Sequence, residues 1–350
     1  MTDLGRGPVT DLSRGPVTDL GTDTLLRFLG YAQSGDRRAA ASLAVQLLNE
    51  GLTIEDLIGG VLVPAQQEIG ERWYRNLATV ADEHLSTAVV QAALEAASAA
   101  SAMGPPSRAT AAVACAEGDW HSLAPRFLAE ILEASGIRVS FLGASTPADH
   151  LSGFLADRRP TALVVTCSVP LYYEGVVRLT QTAHTLSIPV LVGGRGVTPY
   201  GLATRLGADA DPDAPAGVVA QLEQWAQTPP TALVDAHLSE CIADADIDEA
   251  AVAAFDVLAR GLPLMAAYDE PQRDRTREDL AYILRFARAA VLVGRNQVFS
   301  DFMDWQRSLL SARSVPPSAL DAGVAALRQV VTHPQVAEVL VRASTVVDPG

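Results

Sequence analysis

Aromatic residues make up only 5% of this 350-residue chain, and cysteines number three. No apolar run approaches the roughly 20 residues that a bilayer-crossing helix needs, which excludes an integral helical membrane protein. Cys115, Cys167 and Cys241 show no metal-ligand spacing, and two of them sit in apolar, strand-like runs. They are expected as buried free thiols in a reducing compartment. Cationic residues are also scarce: 26 Lys and Arg against 41 Asp and Glu leave a formal net charge of −15. That balance opposes binding to phosphate backbones, so no direct DNA contact is expected. The opening Met1-Thr2-Asp3-Leu4 carries no basic-then-apolar leader, so the expected location is cytoplasmic. What remains is an Ala-, Leu- and Val-rich globular chain, 49% apolar and long enough for two or three domains.

Residues 1–21 contain two copies of Arg-Gly-Pro-Val-Thr-Asp-Leu and read as a flexible tail, since Gly-Pro pairs break regular structure. Residues 22–103 carry apolar side chains at helical spacing, with a long Ala-rich segment over 82–102, and predict a four-helix bundle. Met103-Gly104-Pro105-Pro106-Ser107 is the expected linker. Over 108–228 apolar strand-like runs alternate with amphipathic segments: strands near 111–115, 138–142, 162–167, 190–192 and 208–210, helices near 125–134, 147–155, 173–184, 200–206 and 216–226. This alternation predicts α/β architecture with a doubly wound, flavodoxin-like parallel sheet. Residues 231–350 return to helical patterning. Thr276-Arg277-Glu278-Asp279 resembles a capping box opening a helix with Leu280, Ile283, Leu284, Ala287 and Val291 on one face.

Ligands of parallel sheets bind beyond the strand C-termini. Three groups of residues fall there: Asp119, His121, Ser122 and Leu123 after the first strand, Ser168 after the third, and Gly193-Gly194 after the fourth. A neutral imidazole ligates a metal through one nitrogen while a carboxylate holds the other N–H. Asp119-x-His121-x-x-Ala124 resembles the Asp-x-His-x-x-Gly motif of cobalamin-binding domains. The resemblance implies His121 as the lower cobalt ligand, the Ser168 hydroxyl near the nucleotide base and Gly193-Gly194 beside the nucleotide tail. Ala124 stands in place of the motif Gly, and Ser168 is followed by Val169-Pro170 rather than x-Leu. A response-regulator domain would need a phospho-accepting Asp and a late Lys, and residues 162–195 contain neither Asp nor Lys.

Trp73 precedes Glu83-His84 by the spacing Trp-x9-Glu-His. This is similar to the helical cap of light-dependent cobalamin repressors, which implies that Trp73 packs on a 5′-deoxyadenosyl group and Glu83 bonds to it. Those repressors carry a His directly after the Trp; here Tyr74 stands there, and His84 is the alternative second ligand.

Within 238–332 there is no histidine, which disfavours haem in a globin-like unit. Guanidinium groups, a carboxylate and aromatic walls suit a linear tetrapyrrole instead. Asp279, Arg285 and Arg288 are the polar candidates; Tyr268, Tyr282, Phe286, Phe302 and Trp305 are the walls. A helical dimerisation domain is the competing reading. The order helical cap, cobalamin domain, globin-like domain resembles the photocobilins over roughly 22–345. It implies a photoreceptor binding adenosylcobalamin and biliverdin and signalling to a downstream protein, with a homodimer as the candidate assembly. A corrinoid methyl-carrier of a methyltransferase system and a dark cobalamin sensor are the alternatives.

Overall fold

The computed structural model describes residues 22–343; the repeated segment at 1–21 lies outside the described residues. The chain divides into two compact units, Met1–Ala236 and His237–Gly350.

The first unit opens with α1 (Thr22–Ser34) and α2 (Arg37–Asn49). There follow α3 (Ile54–Leu57), a π-helical turn at Ile58–Leu62, α4 (Val63–Tyr74) and α5 (Val80–Ala100). The starts are written locally. Asp36 accepts the Ala39 N–H, and Thr53/Asp56 and Thr79/Asp82 are reciprocal capping boxes. The π turn falls at Gly59-Gly60, where the absence of side chains tolerates the widened coil. Phe28, Leu43, Leu57, Leu62, Val89 and Leu94 form one apolar core from these helices.

A parallel sheet follows, with β1 (Thr110–Cys115), α6 (Leu123–Ala134), β2 (Arg138–Gly143), α7 (Ala148–Arg158) and β3 (Ala162–Thr166). Then come α8 (Tyr173–Thr185), β4 (Val190–Gly193) and α9 (Pro215–Gln227). Strand order is β2-β1-β3-β4, all pairs parallel. The chain leaves β1 toward β2 and then crosses back to β3, so the order reverses between β1 and β3. At such a switch point the loops diverge and open a crevice.

One sheet face, carrying Ala111, Val113, Val164 and Leu191, packs on Leu132 of α6 and on Leu222 and Trp225 of α9. Helix α6 is buried on two sides: Phe127 and Ile131 belong to the core of the N-terminal helices. The expected linker is itself docked, because the Gly104 N–H donates to the Ala134 carbonyl and the Ser107 N–H to that of Gly136. Gly136 has φ +85°, and a Cβ there would lie 2.0 Å from the Pro105 carbonyl.

Two sequence-based expectations change in this unit. Residues 200–206 are not one helix but two short 3-10 turns, Thr198–Tyr200 and Thr204–Leu206. Gly201 and Gly207 end them in left-handed conformation. The strand expected at 208–210 is a single bridge, Leu191 to Ala210.

The second unit contains α10 (Asp244–Gly261), α11 (Glu270–Val293), α12 (Asn296–Ala312), α13 (Pro317–Val330) and α14 (Pro334–Ala343). The expected capping box at 276–279 is corrected. The box lies seven residues earlier, a reciprocal Asp269/Gln272 pair with Pro271 in the first turn. Thr276 is interior, its hydroxyl bonded to the Gln272 carbonyl. No helix among the described residues is long and apolar enough to cross a membrane.

Candidate functional site

Register places Cys115, Gly143, Thr166 and Gly193 along one edge of the sheet, so the loops that follow them converge. Asp119 sits at the centre, fully buried. Its Oδ1 accepts the His121 Nδ1–H at 2.7 Å and the His121 backbone N–H at 3.0 Å. Its Oδ2 accepts the Ser168 N–H at 2.6 Å, from the loop after β3. A buried carboxylate is tolerated when its lone pairs are filled this way. With the carboxylate holding the Nδ1 proton, the lone pair of the imidazole is on Nε2, the form in which His ligates a metal. The His121 side chain is 35% exposed.

The negative charge of Asp119 is felt nearby. Burial, reinforced by that carboxylate, pushes the Cys115 thiol up to about 12. The same two causes raise Cys167 well above the usual thiol range. Both thiols are therefore protonated and chemically quiet.

Ser122 precedes α6 and makes no side-chain cap; its N–H donates to the Trp120 carbonyl. Leu123 packs against the core of the N-terminal helices. The two glycines differ in reason. A Cβ on Gly194 (φ +103°) would lie 2.6 Å from the Cys167 carbonyl, so neighbouring backbone demands that glycine. A Cβ on Gly193 would meet only the Thr198 hydroxyl at 3.9 Å, so the space over it is open to a ligand.

Trp73 and Glu83, at the C-terminal end of α4 and the first turn of α5, are both buried. The Thr87 hydroxyl donates to Glu83 Oε1 at 2.8 Å, and Gln66 Nε2 donates to that hydroxyl at 2.9 Å, tying α5 to α4. His84 projects outward, 65% exposed, with Nε2 3.6 Å from Glu83 Oε2.

Three further residues belong to this edge, none of them assigned a site role from the sequence. Ser145 bonds to the His121 loop from the β2 side. The Thr146 hydroxyl is buried without a hydrogen-bond partner. Trp120, between Asp119 and His121, is 61% exposed. An exposed indole in the motif was visible in the sequence; the two hydroxyls needed the β2 loop to be placed.

The arrangement fits cobalamin by its donor set. Among the described residues no cluster of three or more His, Cys, Asp or Glu could hold a bare metal ion. One oriented imidazole suffices when a macrocycle supplies the equatorial donors. The Thr146 hydroxyl, which has no partner within the described chain, and the open face of Gly193 are further features that a bound group would satisfy.

In the second unit, most of the residues expected around a bilin are engaged with other protein groups. Arg285 Nη2 bonds to Asp248 at 2.7 Å and Arg288 Nη1 to Asp244 at 2.8 Å, both on α10. Phe286 and Phe302 stack at 3.8 Å and 7°, and Trp305 lies 6.2 Å beyond Phe302. Tyr282 lies under the Arg285 guanidinium, Tyr268 is half-buried, and Asp279 is exposed. The stacked Phe286 and Phe302 rings leave no gap between them.

Residues 109–213 match the family model described as B12 binding domain, and residues 26–97 match a second model of the same description. These matches imply cobalamin binding. The chain is 32% identical to the HTH-type transcriptional repressor CarA of Myxococcus xanthus over 158 residues, covering 43% of this chain and 52% of that one. It is 32% identical to the HTH-type transcriptional repressor CarH of the same organism over 138 residues, covering 38% and 45%. The chain thus spans about half the length of these curated relatives. The monomethylamine corrinoid protein of Methanosarcina barkeri is similar at 17% identity and TM-score 0.49, covering 58% of this chain and 98% of that one.

Proposed function

We propose that this chain is a light-responsive cobalamin sensor in which His121 is the lower axial ligand and Trp73 and Glu83 cover the upper, adenosyl-bearing face. The observation that carries it is the buried Asp119 holding the Nδ1 proton of a half-exposed His121 at the sheet's switch point. Adenosylcobalamin supplies a cobalt–carbon bond that visible light breaks. The chain's part is to hold, cover and report. Asp119 holds the Nδ1 proton and so puts the imidazole lone pair on Nε2; Ser168 fixes Asp119 through its N–H, and its half-buried hydroxyl lies at the β3 end for the nucleotide base. Gly193 leaves room for the tail. Helix α6 links site to cap: it begins two residues after His121 and buries Phe127 and Ile131 in the core of the N-terminal helices. A change at the upper face therefore has a packed route to His121 and back. The proposed output is a protein partner, since the charge of −15 opposes DNA contact.

Absorption spectroscopy of adenosylcobalamin-loaded protein tests this. Green light is expected to change the spectrum of the wild type, and His121→Ala to abolish the His-ligated form. Trp73→Ala is expected to alter the light response while leaving His121 ligation intact. A spectrum insensitive to light refutes the photoreceptor. In that case methyl transfer from bound methylcobalamin identifies a methyl carrier, and equal responses in light and dark identify a dark sensor. Biliverdin in the second unit would require Phe286 and Phe302 to part and Arg285 and Arg288 to leave their carboxylates. A red absorption band on adding biliverdin, lost in Arg288→Ala, is the result that would show they do.

A further inference from the structure

Ser145 has φ +45°, in the left-handed region that a non-glycine residue rarely adopts, on the loop between β2 and α7. From that conformation it makes two bonds to the His-bearing loop. Its Oγ accepts the Gly118 N–H at 3.1 Å, and its own N–H donates to the Asp119 carbonyl at 2.8 Å. These two groups bracket the backbone that carries the Asp119 carboxylate. Gly118 is itself left-handed (φ +91°), with the Tyr172 ring 2.8 Å from where its Cβ would be, so an aromatic ring closes off the other side of this backbone. Ser168 then holds the carboxylate from the β3 side. Asp119 is gripped from both neighbouring loops: Ser168 holds its carboxylate and Ser145 holds its backbone carbonyl.

We infer that Ser145 is a positioning residue for His121: its hydroxyl locks the 118–119 backbone so that Asp119, and through it the imidazole, is held in the ligating orientation before cofactor binds. The inference rests on the cobalamin reading above. Two substitutions separate hydroxyl from backbone. Ser145→Gly removes the hydroxyl and relaxes the left-handed backbone, whereas Ser145→Ala removes the hydroxyl and keeps the strain.

The cofactor-free protein is examined first, by amide hydrogen exchange. Gly118 is expected to exchange at least tenfold faster in both variants, and an unchanged rate overturns the grip. The protein is then loaded with cobalamin, reduced to its paramagnetic cobalt(II) form, and read by electron paramagnetic resonance for the splitting from the His121 nitrogen. Both variants are expected to bind cobalamin about tenfold more weakly, with a reduced fraction showing that splitting. A loss in Ser145→Ala alone, with Ser145→Gly like wild type, overturns the role of the hydroxyl. Absence of the nitrogen splitting in the wild type itself overturns the cobalamin reading and the role of Ser145 toward cobalt together, while the exchange result stands apart.

Discussion

Two Asp–His pairs sit at opposite ends of the same parallel sheet, and their environments differ. At the C-terminal edge, His121 gives its Nδ1–H to Asp119 and is 35% exposed. At the other edge, His184 gives its Nε2–H to Asp209 at 2.9 Å and is only 14% exposed. Asp209 also accepts the Val190 N–H at the start of β4 and the Val234 N–H, both at 2.7 Å. It fastens the segment after α9 to the sheet. Both aspartates are buried and filled with donors, so pairing alone does not mark a ligand site. What distinguishes His121 is the edge it occupies, its accessibility and the loops converging on it.

The largest effect expected from breaking this contrast is on stability. Asp209→Ala strands two backbone N–H groups and an imidazole in a buried place and should cost about 3–5 kcal/mol in denaturant unfolding. Cobalamin affinity of the folded fraction should stay at the wild-type value; a parallel loss of affinity would erase the distinction between the pairs. Next comes Asp119→Asn, which should weaken cobalamin binding ~10–100-fold, measured by absorbance titration, because the amide NH2 that replaces one carboxylate oxygen donates and cannot accept from the N–H groups now filling both oxygens. His184→Gln keeps a donor toward Asp209 and should cost only about 1 kcal/mol, with unchanged binding. The smallest signal is in thiol labelling at pH 8 under native conditions. Cys241, half-exposed, should label first, while Cys115 and Cys167 stay protected by burial and by the Asp119 charge. Rapid labelling of Cys115 would show that the Asp119 loop opens.

The second unit makes the same point in another form. Arg285, Arg288, Phe286, Phe302 and Trp305 are spaced along helices α11 and α12 as pocket residues would be. Yet each guanidinium meets a carboxylate of α10 and the rings meet each other. Helical spacing specifies which residues share a face; it does not say whether that face meets a ligand or another helix.

What the sequence determined by itself is local. Strand and helix periodicity located β1 to β4 and most of the helices. The turn after β1 put Asp119 and His121 two residues apart, close enough to bond whatever the rest of the chain does. Misreadings came where short-range signals compete: Thr276-x-x-Asp279 mimics a capping box, but Asp269, Pro271 and Gln272 start the helix earlier. Glycines at 201 and 207 break the helix that apolar spacing suggested.

Only the tertiary structure decided the rest. The Ser168 N–H reaches Asp119 from 49 residues away, and the Ser145 hydroxyl reaches Gly118 from 27. Those contacts depend on strand register and on the crossover that sets β1 between β2 and β3. Register is fixed by burying both faces of the sheet, a property of the whole unit that no local pattern encodes.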